Sequence, residues 1–218
     1  MHANFEDFLK QIVEGYLFGD IESLKKAGAG PDGNGGCNYP LLMTVIAGIE
    51  LLGNLVSPEP YKPWKGDLNR ARFAEFWEKY VYRGDQTRAD AGKWIYDLAR
   101  NGLAHTFVVG GPIKIAKGER ANHLKKKSDR SVYVDASQLA DDLRIGYDRL
   151  RGDAAGDDSI FPLMRRKLAE MEDWYGERAK EPLESLTKLL PDSPLTDSVN
   201  GSGTWTAPAI SFRPPPSN

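Results

Sequence analysis

A chain of 218 residues with a net charge of −2 is long enough to bury about 70% of the surface its unfolded form exposes, so one core can form without disulfides or metal. The lone Cys37 argues against a disulfide scaffold, and His2, His105 and His123 lack the spacing of a zinc site. A pI near 6.0 gives no global positive field, so any contact with a polyanion must come from a local patch.

Residues 1–7 lack the basic stretch and apolar run of a secretory signal, so a cytoplasmic protein is expected. Asn4 can cap a helix carrying Phe5, Phe8, Leu9, Ile12, Val13 and Tyr16 on one face, with a short continuation over residues 21–27 after a break at Gly19-Asp20. Five glycines and Pro31 between Gly28 and Gly36 make a loop. Its G-x-G-x-x-G, at Gly28, Gly30 and Gly33, follows a helix and not a strand, which argues against a dinucleotide site.

Pro40 suits the first turn of a helix that runs to about Asn54 and is apolar on nearly every side, so it should be central. Thr44, Glu50 and Asn54 interrupt it, and it falls short of the roughly 20 residues of a membrane span, so no membrane is expected. Pro58, Pro60 and Pro63 then enforce a connection. Phe73, Phe76, Trp77 and Tyr80 mark a third helix ending near Gly84, their spacing that of a core or dimer face. Thr87 can cap a fourth, with Ala91, Trp94, Ile95, Leu98 and Leu103 on its apolar side, reaching His105 or Thr106.

After this the period shortens. Phe107-Val108-Val109, Ile113-Lys114-Ile115 and Ser131-Val132-Tyr133-Val134 read as strands of a small β-ribbon, about 107–134, joined by Gly110-Gly111 and a basic loop. Residues 135–150 resume helix, the Gly/Asp-rich residues 152–158 break it, and a last helix covers about 159–177. The acidic residues Asp153, Asp157 and Asp158 lack the pattern of a calcium loop. Residues 179–218 hold seven of the fourteen prolines and read as an extended arm or flexible tail beyond a domain spanning 1–178. The fold class expected is mainly α, a helical bundle with the ribbon inserted.

Chemistry concentrates at the end of the fourth helix. Asn101 and His105, four residues apart, share a helix face; Arg100 adjoins them, and Gly102 keeps the surface between them clear. Histidine moves a proton near neutral pH and arginine presents a two-pronged cation to phosphate, which suits RNA cleavage, where the 2′-hydroxyl is the nucleophile. No metal or other cofactor is expected. Glu50, a carboxylate in the most apolar helix, requires a cation or donor, with Arg100 and His105 the candidates, and is a candidate orienting residue.

The segment Arg100-Asn101-Gly102-Leu103-Ala104-His105 resembles the R-x(4–6)-H motif of the HEPN superfamily, in which Asn, Asp or His commonly follows the Arg, as Asn101 does here. The resemblance implies a four- or five-helix bundle over roughly residues 4–178. It also implies a homodimer whose two motifs meet across the interface and cut single-stranded RNA without metal. Toxin or phage-defence settings, with a protein partner or antitoxin, follow from the family alone. The plain reading of the same residues stays open: Arg100 can serve the helix C-terminus and His105 the core, in a non-catalytic interaction or dimerisation module.

Within residues 111–130, Lys114, Lys117, Arg120, Lys125, Lys126, Lys127 and Arg130 stand against only Glu119 and Asp129. Following the motif so closely, they are candidates for RNA backbone contact, or simply a solvated hairpin tip. His123 among them reads as an ordinary loop histidine.

Overall fold

The computed structural model describes residues 5–28, 36–63, 65–100, 102 and 113–189. These form six helical rods and one two-stranded sheet. The first rod, α1, runs through Phe5–Phe8, a π-wound stretch Leu9–Leu17 and Phe18–Lys26 without a break at Gly19. Phe5, Leu9, Val13 and Ile21 are buried along it, and the expected interruption is absent because Gly19 has open space around it and strains nothing.

Helix α2, Asn38–Val56, is the hub. It packs against every other helix and against the first strand, burying Leu41, Leu42, Val45, Ile46, Ile49, Leu52 and Leu55, which an all-round apolar sequence requires. At 19 residues and mean hydropathy 1.6 it is, contrary to the sequence reading, long and apolar enough to cross a membrane by length and composition. The bundle covers that apolar surface here. Gly53 lets α3 approach: a Cβ there would lie 2.7 Å from the Arg72 carbonyl oxygen, so even alanine would push the two backbones apart.

Helix α3 is Gly66–Phe76 continued by the π-wound Trp77–Val81, with Phe73, Phe76, Trp77 and Tyr80 buried in the core. Helix α4 is stepped, in pieces Gln86–Ala89, Gly92–Ile95 and the π-wound Tyr96–Arg100. Asp85, not Thr87, caps it, accepting the Arg88 N–H at 3.1 Å. Trp94, in the piece that follows the step, is exposed while Ile95 and Tyr96 are buried.

Strands β1 (Ile113–Ala116) and β2 (Val132–Asp135) pair in parallel, Ile113 opposite Val132. A hairpin cannot make that pairing; residues 117–131 cross over, with a 3₁₀ turn Arg120–Asn122 and an antiparallel bridge from Lys126 to Val132. The expected strand at 107–109 lies outside the described residues. Asp135 ends β2 and caps helix α5, Ala136–Gly156, by accepting the Gln138 N–H at 2.8 Å. Helix α5 extends past its expected end at Leu150 into the Gly/Asp-rich segment, since Gly152 and Gly156 have open space around them, and the break before α6 falls at residues 157–159. Helix α6, Ile160–Leu189, extends 12 residues past its expected end at Glu177, and residues 181–189 are exposed throughout. The tail reading therefore does not hold for residues 179–189; residues 190–218 lie outside the described residues.

Candidate functional site

Arg100 closes the π-wound end of α4 and meets Glu50 of α2. Its Nε donates to Glu50 Oε2 at 3.1 Å and its Nη2 to Oε1 at 3.3 Å, a two-pronged ion pair with side chains 28% and 19% exposed. The guanidinium also lies 5.5 Å from the Tyr96 ring centroid. Burial opposes its charge, but Glu50 outweighs burial and raises its pKa. The same surroundings, burial first and then the Glu50 carboxylate, raise the Tyr96 hydroxyl. Of the two partners the sequence offered Glu50, the structure supplies Arg100. Asn101 and His105 lie outside the described residues.

The basic segment divides. Lys117 is no phosphate ligand: its ammonium points inward and donates to the carbonyl oxygens of Leu24, Ala27 and Gly36, tying the C-terminal end of α1 to the approach to α2. Lys114 pairs with Asp129 at 2.5 Å and Arg120 with Asp141 at 2.6 Å. Lys114, joined by the Ser131 hydroxyl and N–H, holds the Asp129 carboxyl far below its usual range. Lys127 covers the Tyr133 ring at 3.9 Å. Lys125, Lys126 and Arg130 are exposed, and none of them forms an ion pair among the described residues. Charge reversal at Lys125, Lys126 and Lys127 together is expected to weaken binding equally for unrelated single-stranded RNAs. It should lower the salt slope by about 2. Lys117→Met should instead cost about 1–3 kcal/mol of stability by orphaning three carbonyls. Filter binding across a salt series and thermal melting check both; a loss confined to one RNA sequence in the triple variant would contradict a backbone role.

His123 corrects the sequence reading most. It is 1% exposed, and its Nδ1 accepts the Asp135 backbone N–H at 3.1 Å. That bond places the ring proton on Nε2, which donates to the Tyr82 hydroxyl at 2.8 Å; the hydroxyl donates to Asp142 Oδ2 at 2.6 Å. Gln138 donates to the other Asp142 oxygen at 2.8 Å. Burial would raise the Asp142 pKa, but His123 Nε2, 3.4 Å from Oδ2, and the bonds from Tyr82 and Gln138 bring it below the usual range. The relay joins α3, the crossover and α5 from positions 41 and 19 residues apart, a span no local pattern reveals. One signal was legible: Asp142 lies between Leu139 and Gly146 on the buried stripe of α5, where a carboxylate demands donors.

A second buried set positions the loop after α2. Arg72, 2% exposed, donates to Asn54 Oδ1 at 2.9 Å, to Ser57 Oγ at 3.3 Å and to the Glu59 carbonyl at 3.1 Å. Lys167, equally buried, donates to the same carbonyl and to Glu170, each at 2.8 Å. Among the described residues no three His, Cys, Asp or Glu side chains converge as a metal site would need.

No family model, curated protein or solved structure matches this chain.

Proposed function

We propose that the protein is a HEPN-type endoribonuclease that cuts single-stranded RNA without metal, in the cytoplasm, with toxin or antiviral defence as its setting. The observation that carries this reading is the Arg100–Glu50 pair. It anchors the Arg100 guanidinium, at the head of the R-x4-H segment, to the central helix, and a cation fixed in place is what a developing phosphorane charge needs.

His105 serves as acid/base and Asn101 positions the other two residues. A proton leaves the 2′-hydroxyl, the 2′-oxygen attacks the adjacent phosphorus and the P–O5′ bond breaks. The 5′-oxygen takes up a proton, leaving a 2′,3′-cyclic phosphate. Arg100 neutralises the charge on the non-bridging oxygens, and Glu50 holds the guanidinium in position. A homodimer places a second copy of the motif across the scissile bond, since a two-fold axis presents one patch twice and cleavage benefits from both a base and an acid.

Incubation of purified protein with single-stranded and duplex RNA in EDTA tests the reading. Cutting of the single strand with cyclic phosphate ends is expected. Absence of cutting on both, with or without EDTA, would leave a non-catalytic helical interaction module as the function; cutting that EDTA abolishes would overturn the metal-free mechanism.

A further inference from the structure

The loop after α2 and the outer half of α6 build an aromatic group that the core does not use. Tyr61 donates its N–H to Glu170 Oε2 at 3.0 Å and its hydroxyl to the Tyr175 hydroxyl at 3.2 Å. Its ring lies 6.0 Å from Trp174, edge-on, and 6.2 Å from Tyr175; Trp174 and Tyr175 meet edge-on at 4.7 Å. The Arg178 guanidinium stands 4.8 Å from the Trp174 ring centroid. Buried Arg72 and Lys167 clamp the loop from beneath through the Glu59 carbonyl, so Tyr61 is held in place, whereas Tyr175 is 52% exposed.

The loop that carries Tyr61 is tied to the helix that anchors Arg100. Arg72 donates to the Glu59 and Pro60 carbonyls, just before Tyr61, and to Asn54 Oδ1, and the Asn54 amide donates to the Glu50 carbonyl at 2.9 Å. Glu50 is the residue whose carboxylate holds Arg100, and burial, the bond to Tyr175 and the Glu50 charge together raise the Tyr61 hydroxyl's pKa.

We infer that Tyr61, Trp174, Tyr175 and Arg178 form a stacking subsite for an unpaired nucleobase of the strand whose phosphate Arg100 holds, an inference that rests on the reading of Arg100 above. Every base has a π-face, so rigid aromatic rings beside a guanidinium bind single strands with little regard to sequence. The held loop supplies rings that need no ordering when the base arrives. A duplex keeps its bases stacked on each other and presents none to this face. The subsite therefore selects unpaired RNA.

The test uses full-length protein and a fluorescent 2′-O-methyl single strand, which lacks the nucleophile, beside the same strand made abasic. Tyr175→Ala is expected to weaken binding of the base-bearing strand about 5- to 150-fold, the range of one base–aromatic stack. Tyr175→Phe, which keeps the ring, should bind as wild type. The abasic strand should bind weakly and respond to neither change. Thermal melting confirms that each variant is folded. Equal affinity of Tyr175→Ala and wild type, an equal loss on the abasic strand, or no binding by wild type would overturn the inference. So would a change in oligomeric state with RNA binding intact, which would assign this face to a second protein chain. Tyr175-dependent binding without cleavage of ordinary RNA leaves the subsite standing and removes the nuclease reading; cleavage with Tyr175-independent binding does the reverse.

Discussion

Replacing His105 with alanine is expected to reduce cleavage of single-stranded RNA in EDTA by about 10²- to 10⁴-fold, the usual contribution of a positioned acid/base. Arg100→Ala should cost about 10²- to 10³-fold by removing the donors to the phosphate oxygens. Arg100→Lys restores the charge but not the fork, so it should recover little. Glu50→Gln separates orientation from charge: the amide keeps the size of the side chain and one acceptor, yet releases the second prong of the pair at Oε1 and Oε2. A loss of about tenfold in kcat with the melting temperature nearly unchanged is the outcome expected of an orienting carboxylate. If Glu50→Gln melts the protein and activity falls only in step with the folded fraction, the pair is a structural tie between α2 and α4. Single-turnover cleavage rates, normalised to folded protein by circular dichroism, decide between the two.

His123→Ala is expected to cost about 2–4 kcal/mol of stability, the largest effect foreseen for a side chain away from the motif. It removes a fully buried ring, strips the Asp135 N–H of its acceptor and takes one donor from the Tyr82 hydroxyl. Tyr82→Phe should cost less, about 1–3 kcal/mol, since Asp142 keeps the Gln138 donor. The pH dependence follows from Asp142. Its carboxyl is held below the value it has in an unfolded chain, so its contribution is complete above about pH 5 and is lost as pH falls through the folded-state value. The stability gap between wild type and Asp142→Asn should therefore be constant from pH 7 to 5 and shrink below about pH 4. Urea unfolding at a series of pH values measures it. A gap that stays constant down to pH 3 would show that the carboxylate's charge does not stabilise this relay.

The hub helix was legible in the sequence because burial on all sides leaves a residue no choice but to be apolar, and residues 38–56 are apolar on nearly every turn. The core role of Phe73, Phe76, Trp77 and Tyr80 was legible for a similar local reason. A carboxylate in the most apolar helix, Glu50, likewise announces its need for a cation, and Arg100 was one of two candidates. What local pattern could not decide was the direction of long side chains and the pairing of strands. Lys117 and Lys125 look alike in the sequence, but one reaches three carbonyls at the end of α1 while the other faces solvent, because chain path and not residue type sets what lies within reach of a flexible ammonium. The parallel pairing of β1 and β2 depends on where the crossover leaves the second strand. The relay of Tyr82, His123 and Asp142 exists only once three distant segments pack, since a hydrogen bond is fixed by positions in space that sequence separation does not encode.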